Sequence, residues 1–237
     1  MKKILLLGSQ HGNELLGDEL YRYIQAQHKD LLPYVVFKIG NPDAHKANIR
    51  YLESDMNRSY NIPDDTHEAR LATELLNYIE KENFDLVLDL HTTVCVQPPC
   101  IIIRDITPHN IDFLRATSIE KIVLLQDPMV ETTLAGVCPQ AVAIEISNND
   151  ITPELLESLA KAIKTYATNE VEPIEKSVYS VESLLLKAEV APDEVDELVN
   201  FKPTKSGYIP ILTGENSYKK NTHYLGFKAT KEEKITL

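Results

Sequence analysis

The sequence predicts an α/β fold, a sheet covered by helices on both faces, with a small and mainly β C-terminal domain. Three observations predict it. Short apolar runs recur without polar alternation, stretches with helical apolar spacing lie between them, and the helical period fades after about Thr168. The acidic, proline-containing segment Glu170 to Glu175 then leads into short β-prone runs broken by Pro192, Pro203, Gly207, Pro210 and Gly214. We therefore place a boundary near residues 168 to 176 and expect domains 1–168 and 169–237.

Ile4 to Leu7 is a continuous apolar run closed by Gly8, which suits a strand buried on both faces. Leu15 to Gln27 carries apolar residues at helical spacing, and Tyr34 to Ile39 reads as a second strand stopped by Gly40-Asn41-Pro42. Asp43 to Tyr60 has no clean period and is expected to be a long loop. Pro63-Asp64-Asp65 has the composition of a helix start, with Leu71, Leu75, Leu76 and Ile79 as the buried stripe of a helix reaching about Glu82. Phe84 to Leu90, Ile101 to Arg104, Ile122 to Leu125 and Ala141 to Ile146 are further strands, with a helix around Asn110 to Ala116. Thr152 as N-cap and Pro153 at the first helical position open a helix to about Tyr166.

At 237 residues with a formal net charge of -12, the chain can bury a large core, and its acidity argues against sequence-independent binding to nucleic acid or to an anionic membrane. Any small acidic substrate needs a local cationic pocket. Cys95, Cys100 and Cys138 lack CxxC spacing and read as reduced thiols. The opening Met1-Lys2-Lys3 and Ile4 to Leu7 resemble the start of a signal peptide, but the apolar run is too short. We expect a cytoplasmic protein.

Chemistry concentrates at the predicted strand ends. His11 and Glu14 follow the first strand, His91 follows Leu86 to Leu90, and Glu145 lies in the apolar run Ala141 to Ile146. Open α/β sheets bind ligands at the carboxyl ends of their strands. Catalytic zinc usually takes three protein ligands and keeps one position for water, so His11, Glu14 and His91 make a His2Glu set with Glu145 left as proton shuttle. Each residue taken singly also has a structural reading: a surface-loop histidine, a carboxylate favoured in a helix's first turn, a strand-end side chain facing solvent. Their joint placement favours metal. Asp89 shares the face of His91 by the two-residue strand period and is a candidate to orient it. Arg50, Asn57 and Arg58 lie together in the long loop, and two of the chain's six arginines beside an asparagine point to anion recognition.

Four ordered motifs together resemble the aspartoacylase and succinylglutamate desuccinylase family, relatives of zinc carboxypeptidases. They are Gly8-Ser9-Gln10-His11-Gly12-Asn13-Glu14, the stretch from Asn41-Pro42 through Arg58, Asp89-Leu90-His91-Thr92-Thr93, and Ile144-Glu145. The resemblance implies a zinc-carboxypeptidase-like mixed sheet with a capping domain, and one zinc ion bound by His11, Glu14 and His91. It implies that Glu145 activates water, that Arg50 polarises the scissile amide, and that Asn57 and Arg58 hold an α-carboxylate. Thr213 to Lys220 is similar to the part of the small domain that closes over the pocket, which implies binding roles for Tyr218 and Lys220. Leu134 stands where aspartoacylases carry an arginine selective for aspartate, so the resemblance leaves the acyl group and amino acid open.

The activity so implied is hydrolysis of small N-acyl amino acids of the N-acetyl-aspartate kind. Succinylglutamate desuccinylation and carboxypeptidase-like trimming are the alternatives, and a non-enzymatic binding module is a third. A homo-oligomer is compatible with all of them.

Overall fold

The computed structural model of the chain describes residues 1–216, 218 and 222–237, the side chain of residue 182 apart. In chain order its elements are β1 (Ile4–Gly8), α1 (Leu16–Gln27), β2 (Val35–Ile39), α2 (Pro42–Ala47), α3 (His67–Glu82), β3 (Leu86–Thr93), β4 (Cys100–Ile103) and α4 (Ile111–Ala116). They continue with β5 (Lys121–Leu125), α5 (Leu134–Val137), β6 (Ala141–Ser147), α6 (Pro153–Thr168), β7 (Glu175–Leu186), α7 (Pro192–Val195), β8 (Ile209–Ile211) and β9 (Tyr224–Thr236). The strands form one sheet in the order β2-β1-β3-β6-β4-β5-β7-β9-β8. Strands β2, β1, β3 and β6 run parallel, and β4 is antiparallel to β6, which makes the sheet mixed.

Strand period divides the side chains between the two faces of this sheet. Ile4 and Leu6 of β1, Leu86, Leu88 and Leu90 of β3, and Val142 and Ile144 of β6 pack with α1, α4 and α6 in one cluster. Leu5, Leu7, Val87 and Ala141 face the other way and pack against α3 and α5. Farther along that second face lies a separate cluster built from β4, β5, β7, β8 and β9. The seam between these last two clusters is where Asp89, His91 and Glu145 emerge, because each stands an even number of residues from Val87 or Ala141. Their sequence position sets their side of the sheet.

Three differences from the sequence reading have physical causes. The stretch from Asp43 to Tyr60 is not all loop: Asn41 caps α2 by accepting the Ala44 N–H at 3.1 Å, Pro42 sits at the helix start, and a single 3-10 turn covers Met56–Arg58. Punctuation that reads as a turn is also the signature of a helix N-terminus. Helix α3 starts at His67 rather than Pro63, because Thr66 supplies its cap. The C-terminal strands also join the same sheet as the first 168 residues, with β7 parallel to β5 over Lys121 to Leu125. The 1–168 and 169–237 division remains a proposal about the sequence. Among the described residues no helix is long and apolar enough to cross a membrane.

One buried carboxylate fixes the segment that carries the arginines. Glu68, fully buried in the first turn of α3, accepts the N–H groups of Leu52 at 2.7 Å, Glu53 at 3.1 Å and Ser54 at 3.0 Å, and the Asn41 amide at 3.0 Å. Burial opposes the charge, but these bonds outweigh it and hold the carboxyl below its usual value of 4.5. A depressed carboxyl value contributes stability that is complete above the unfolded value and is lost as pH falls through the folded one. Glu68→Gln is therefore expected to destabilise the protein by about 1–3 kcal/mol at neutral pH. Urea midpoints of the two proteins should converge as the pH is lowered to the acid side of 4.5. A gap that stays constant over that range sinks the assignment.

Candidate metal centre

The turn after β1 places the first two side chains. Ser9 adopts a left-handed backbone (φ 51°), and its Oγ lies 3.0 Å from the Glu14 carbonyl, closing the turn from inside. Gly12 must be glycine there, since a Cβ would stand 2.1 Å from the Ala44 carbonyl carbon. Helix α1 begins only at Leu16, so the turn residues His11 and Glu14 are held by these contacts and by the Glu14 N–H donated to the His11 carbonyl at 3.0 Å. His91 and Glu145 come from adjacent parallel strands and are register partners.

The three ligand candidates converge. His11 Nδ1 lies 2.7 Å from Glu14 Oε1 and His91 Nδ1 lies 2.8 Å from Glu14 Oε2. One donor atom from each residue falls within 4.8 Å of the others, and all three side chains are buried. The outward nitrogens each face a carboxylate. His11 Nε2 lies 2.9 Å from Asp55 Oδ1, and His91 Nε2 lies 2.9 Å from Asp89 Oδ2. The second approach is off the hydrogen-bond line, so Asp89 and His91 Nε2 count among buried polar atoms without a hydrogen bond. Imidazoles that ligate metal with one nitrogen are characteristically backed by a carboxylate on the other.

Charge tells the same story. Burial alone depresses an imidazole, yet the Glu14 carboxylate leads the groups that keep His11 above its usual value, and Asp89 with Glu14 keeps His91 well above it. Burial alone raises a carboxyl, yet His11 and His91 hold Glu14 far below the usual range. Asp55 is likewise held well below it, against burial, by His11 and Arg50. Three carboxylates, Glu14, Asp55 and Asp89, lie against the two imidazoles, and Arg50 pairs with the first two of them. These carboxylates favour positive charge on both rings, and a divalent cation held by the ring nitrogens and Glu14 would supply it in place of the protons. Nitrogen and oxygen donors of this kind suit zinc, so the residues fit the metal that the resemblance implies.

Glu145 faces the cleft across from this cluster, and burial pushes its carboxyl up to about 8. Arg50 donates Nη1 to Glu14 Oε1 at 3.1 Å and Nη2 to Asp55 Oδ2 at 3.1 Å, so Asp55 ties the His11 ring to the Arg50 guanidinium. Arg58 lies with Nη2 3.5 Å from the Tyr218 hydroxyl, and Asn57 accepts the Leu134 N–H at 3.1 Å. One cleft brings together His11, Glu14, Arg50, Asn57, Arg58, His91, Glu145 and Tyr218. Lys220 lies outside the described residues.

A profile of the succinylglutamate desuccinylase/aspartoacylase catalytic domain matches residues 1–168. The chain belongs to this family. It is 27% identical over 164 residues to a probable aspartoacylase of Trichodesmium erythraeum, covering 62% of this chain and 56% of that protein. It is 30% identical over 119 residues to the N-acyl-aromatic-L-amino acid amidohydrolase (carboxylate-forming) of Rattus norvegicus, covering 42% and 36%. The match thus spans about half or less of the length of these relatives. Murine aminoacylase 3 shares the fold, with a TM-score of 0.72 at 20% identity over 99% of this chain and 96% of that one.

Leu134 does not face the cleft. Its side chain is fully buried in the cluster with Leu5, Leu7 and Tyr60, and the wall beside it is Thr133. Sequence reading also passed over Asp55 and Glu68. Asp55 lay in plain view between the two loop arginines, where an acid invites pairing; Glu68 gave no signal beyond a first-turn carboxylate. If Asp55 holds the ring of a metal ligand, Asp55→Asn should weaken zinc binding about 10–100-fold while leaving the circular dichroism unchanged. Competition against a chromophoric chelator measures this, and an unaltered affinity counts against the assignment.

Proposed function

We propose that this chain is a zinc-dependent amide hydrolase that splits small N-acyl amino acids into a carboxylate and a free amino acid. The observation that carries the proposal is the convergence of His11, Glu14 and His91 opposite Glu145, in one cleft with the arginine pair. The Trichodesmium and rat relatives, a probable aspartoacylase and an N-acyl-aromatic-L-amino acid amidohydrolase, support the same substrate class.

His11, Glu14 and His91 would hold the zinc, which when bound supplies Lewis acidity and lowers the pKa of water toward neutrality. Arg58 and the Asn57 side chain grip the α-carboxylate, the guanidinium matching its two oxygens. Grip at that end fixes where the amide lies. Arg50, held by Asp55, donates to the carbonyl oxygen as negative charge develops on it, in a site where little water screens the interaction. Glu145 takes the proton of the attacking water and returns it to the departing amine nitrogen, and the burial that lifts its carboxyl toward neutral values suits both halves of that task. Tyr218, packed on the Tyr224 ring with centroids 4.8 Å apart, closes the cleft beside Arg58.

Succinylglutamate desuccinylation is the runner-up within this reading. The cleft is closed on one side by the C-terminal strands, which favours a small amide over a peptide chain. No disulfide joins Cys95, Cys100 and Cys138, and we propose the cytoplasm as the setting.

Zinc-loaded protein should release amino acid from at least one member of a panel of acetylated and succinylated amino acids, and chelation should abolish the release. Glu145→Gln should lower kcat by about 10²–10⁴ with zinc retained, whereas His91→Ala should lose stoichiometric zinc. Turnover of no panel member by protein of verified zinc content would falsify the proposal.

A further inference from the structure

The cleft has two halves of unlike chemistry. One half holds the metal-ligand set with Arg50, Asn57 and Arg58; the other is walled by Ile102, Leu125, Leu212 and Phe227. Register explains why those four meet. Strand β4 lies antiparallel to β6 with Cys100 opposite Glu145 and Ile102 opposite Ala143, so Ile102 projects from the same face of the sheet as Glu145. Strand β5 pairs Val123 with Ile102, and Leu125, two residues on, shares that face. Leu212 and Phe227 arrive from the segments around β8 and β9, whose pairing sets Ile211 opposite Phe227.

This wall is the rim of a packed core and not a set of loose surface residues. Leu125, Leu212 and Phe227 belong to the buried cluster that includes Val123, Tyr179 and Val181, and Ile102 packs against it. An unpaired substrate charge seated against an interior packed in this way would lose its hydration without compensation.

Among the described residues, cations are scarce on that side. Among the described residues lining the cleft, the only cationic side chains are Arg50 and Arg58. Arg50 is engaged by Glu14 and Asp55, and Arg58 belongs to the α-carboxylate clamp. Among the described residues, Glu215 adds an anion on that side, its Oε2 accepting the Thr93 hydroxyl at 2.8 Å and the Val94 N–H at 3.3 Å. A second substrate carboxylate, whether on an aspartyl side chain or at the end of a succinyl group, would leave water for an apolar wall without a described partner.

We infer that the substrate group seated against Ile102, Leu125, Leu212 and Phe227 is apolar, so that this chain selects N-acyl amino acids with a hydrocarbon or aromatic variable group over those with a second carboxylate. The inference rests on the N-acyl amino acid hydrolase reading and narrows it. Acyl group and amino-acid side chain are the two sources of such a group.

The test compares kcat/KM of the zinc-loaded chain for N-acetylphenylalanine, N-acetylleucine, N-hexanoylglycine, N-acetylaspartate and N-succinylglutamate. The best apolar substrate should exceed both diacids by about 30-fold or more, a ratio within reach of pocket complementarity. N-acetylphenylalanine ahead of N-hexanoylglycine assigns the wall to the side chain, and the reverse order assigns it to the acyl group. Leu125→Lys should then raise the diacids relative to the apolar substrates about tenfold or more, with the fold checked by circular dichroism. A wild-type preference for either diacid overturns the inference and leaves the hydrolase reading standing. If none of the five is hydrolysed, that reading fails, and calorimetric binding of N-acetylphenylalanine and N-acetylaspartate to Glu145→Gln protein decides the inference separately. Tighter or equal binding of the aspartate compound overturns it; tighter binding of the phenylalanine compound upholds it.

Discussion

The site depends on the register of three parallel strands. Gly8 lies opposite Leu90 across β1 and β3, and His91 lies opposite Glu145 across β3 and β6. Side chains alternate with a period of two, so a slip of one residue between β3 and β6 would turn His91 and Glu145 to different faces. The apolar residues prevent that slip. Leu86, Leu88 and Leu90 must enter one cluster and Val87 the other, and this partition simultaneously commits Asp89 and His91 to the second face. Hydrophobic burial thus aims the polar groups without touching them.

Aiming alone does not make so many buried charges tolerable. Each must find a counter-charge or a hydrogen bond, and the arrangement here is a chain of opposites: Asp89 against His91, His91 against Glu14, Glu14 against His11 and Arg50, and Asp55 against His11 and Arg50. Each imidazole is thereby set between two carboxylates, which is the strongest argument from the structure for a cation at the centre. Glu68 belongs to the same logic one layer out, spending a buried carboxylate on the backbone of residues 52 to 54 so that Arg50 and Asp55 arrive at fixed distances.

Much of this was legible in the sequence because strand ends and apolar runs are local. Ile4 to Leu7, Leu86 to Leu90 and Ala141 to Ile146 announce buried strands, and His11, His91 and Glu145 stand where such strands present ligands. The two-residue period also placed Asp89 beside His91. What stayed hidden depends on pairing between distant segments. Nothing local to Cys100–Ile103 says that β4 runs antiparallel to β6, and nothing in 169–237 says that its strands extend the same sheet. Leu134 illustrates a second limit. Its place in a motif says which residue it replaces, whereas its side-chain direction follows from the short helix α5 packed on the sheet, and that direction is into the core.

These two kinds of information divide the proposed enzyme in an unexpected place. The residues proposed for chemistry come from the first 168 positions, the span that the family profile covers. The apolar wall draws half of its side chains, Leu212 and Phe227, from beyond that span, and the rest from strands β4 and β5 that carry no family motif. The register fixing His91 opposite Glu145 is not the register fixing Ile211 opposite Phe227. On the proposed reading, substitutions in the wall would alter which amide is accepted without disturbing the proposed metal ligands. Selectivity has to be argued from that wall, because motifs shared with relatives acting on different acyl amino acids constrain only the chemistry they have in common.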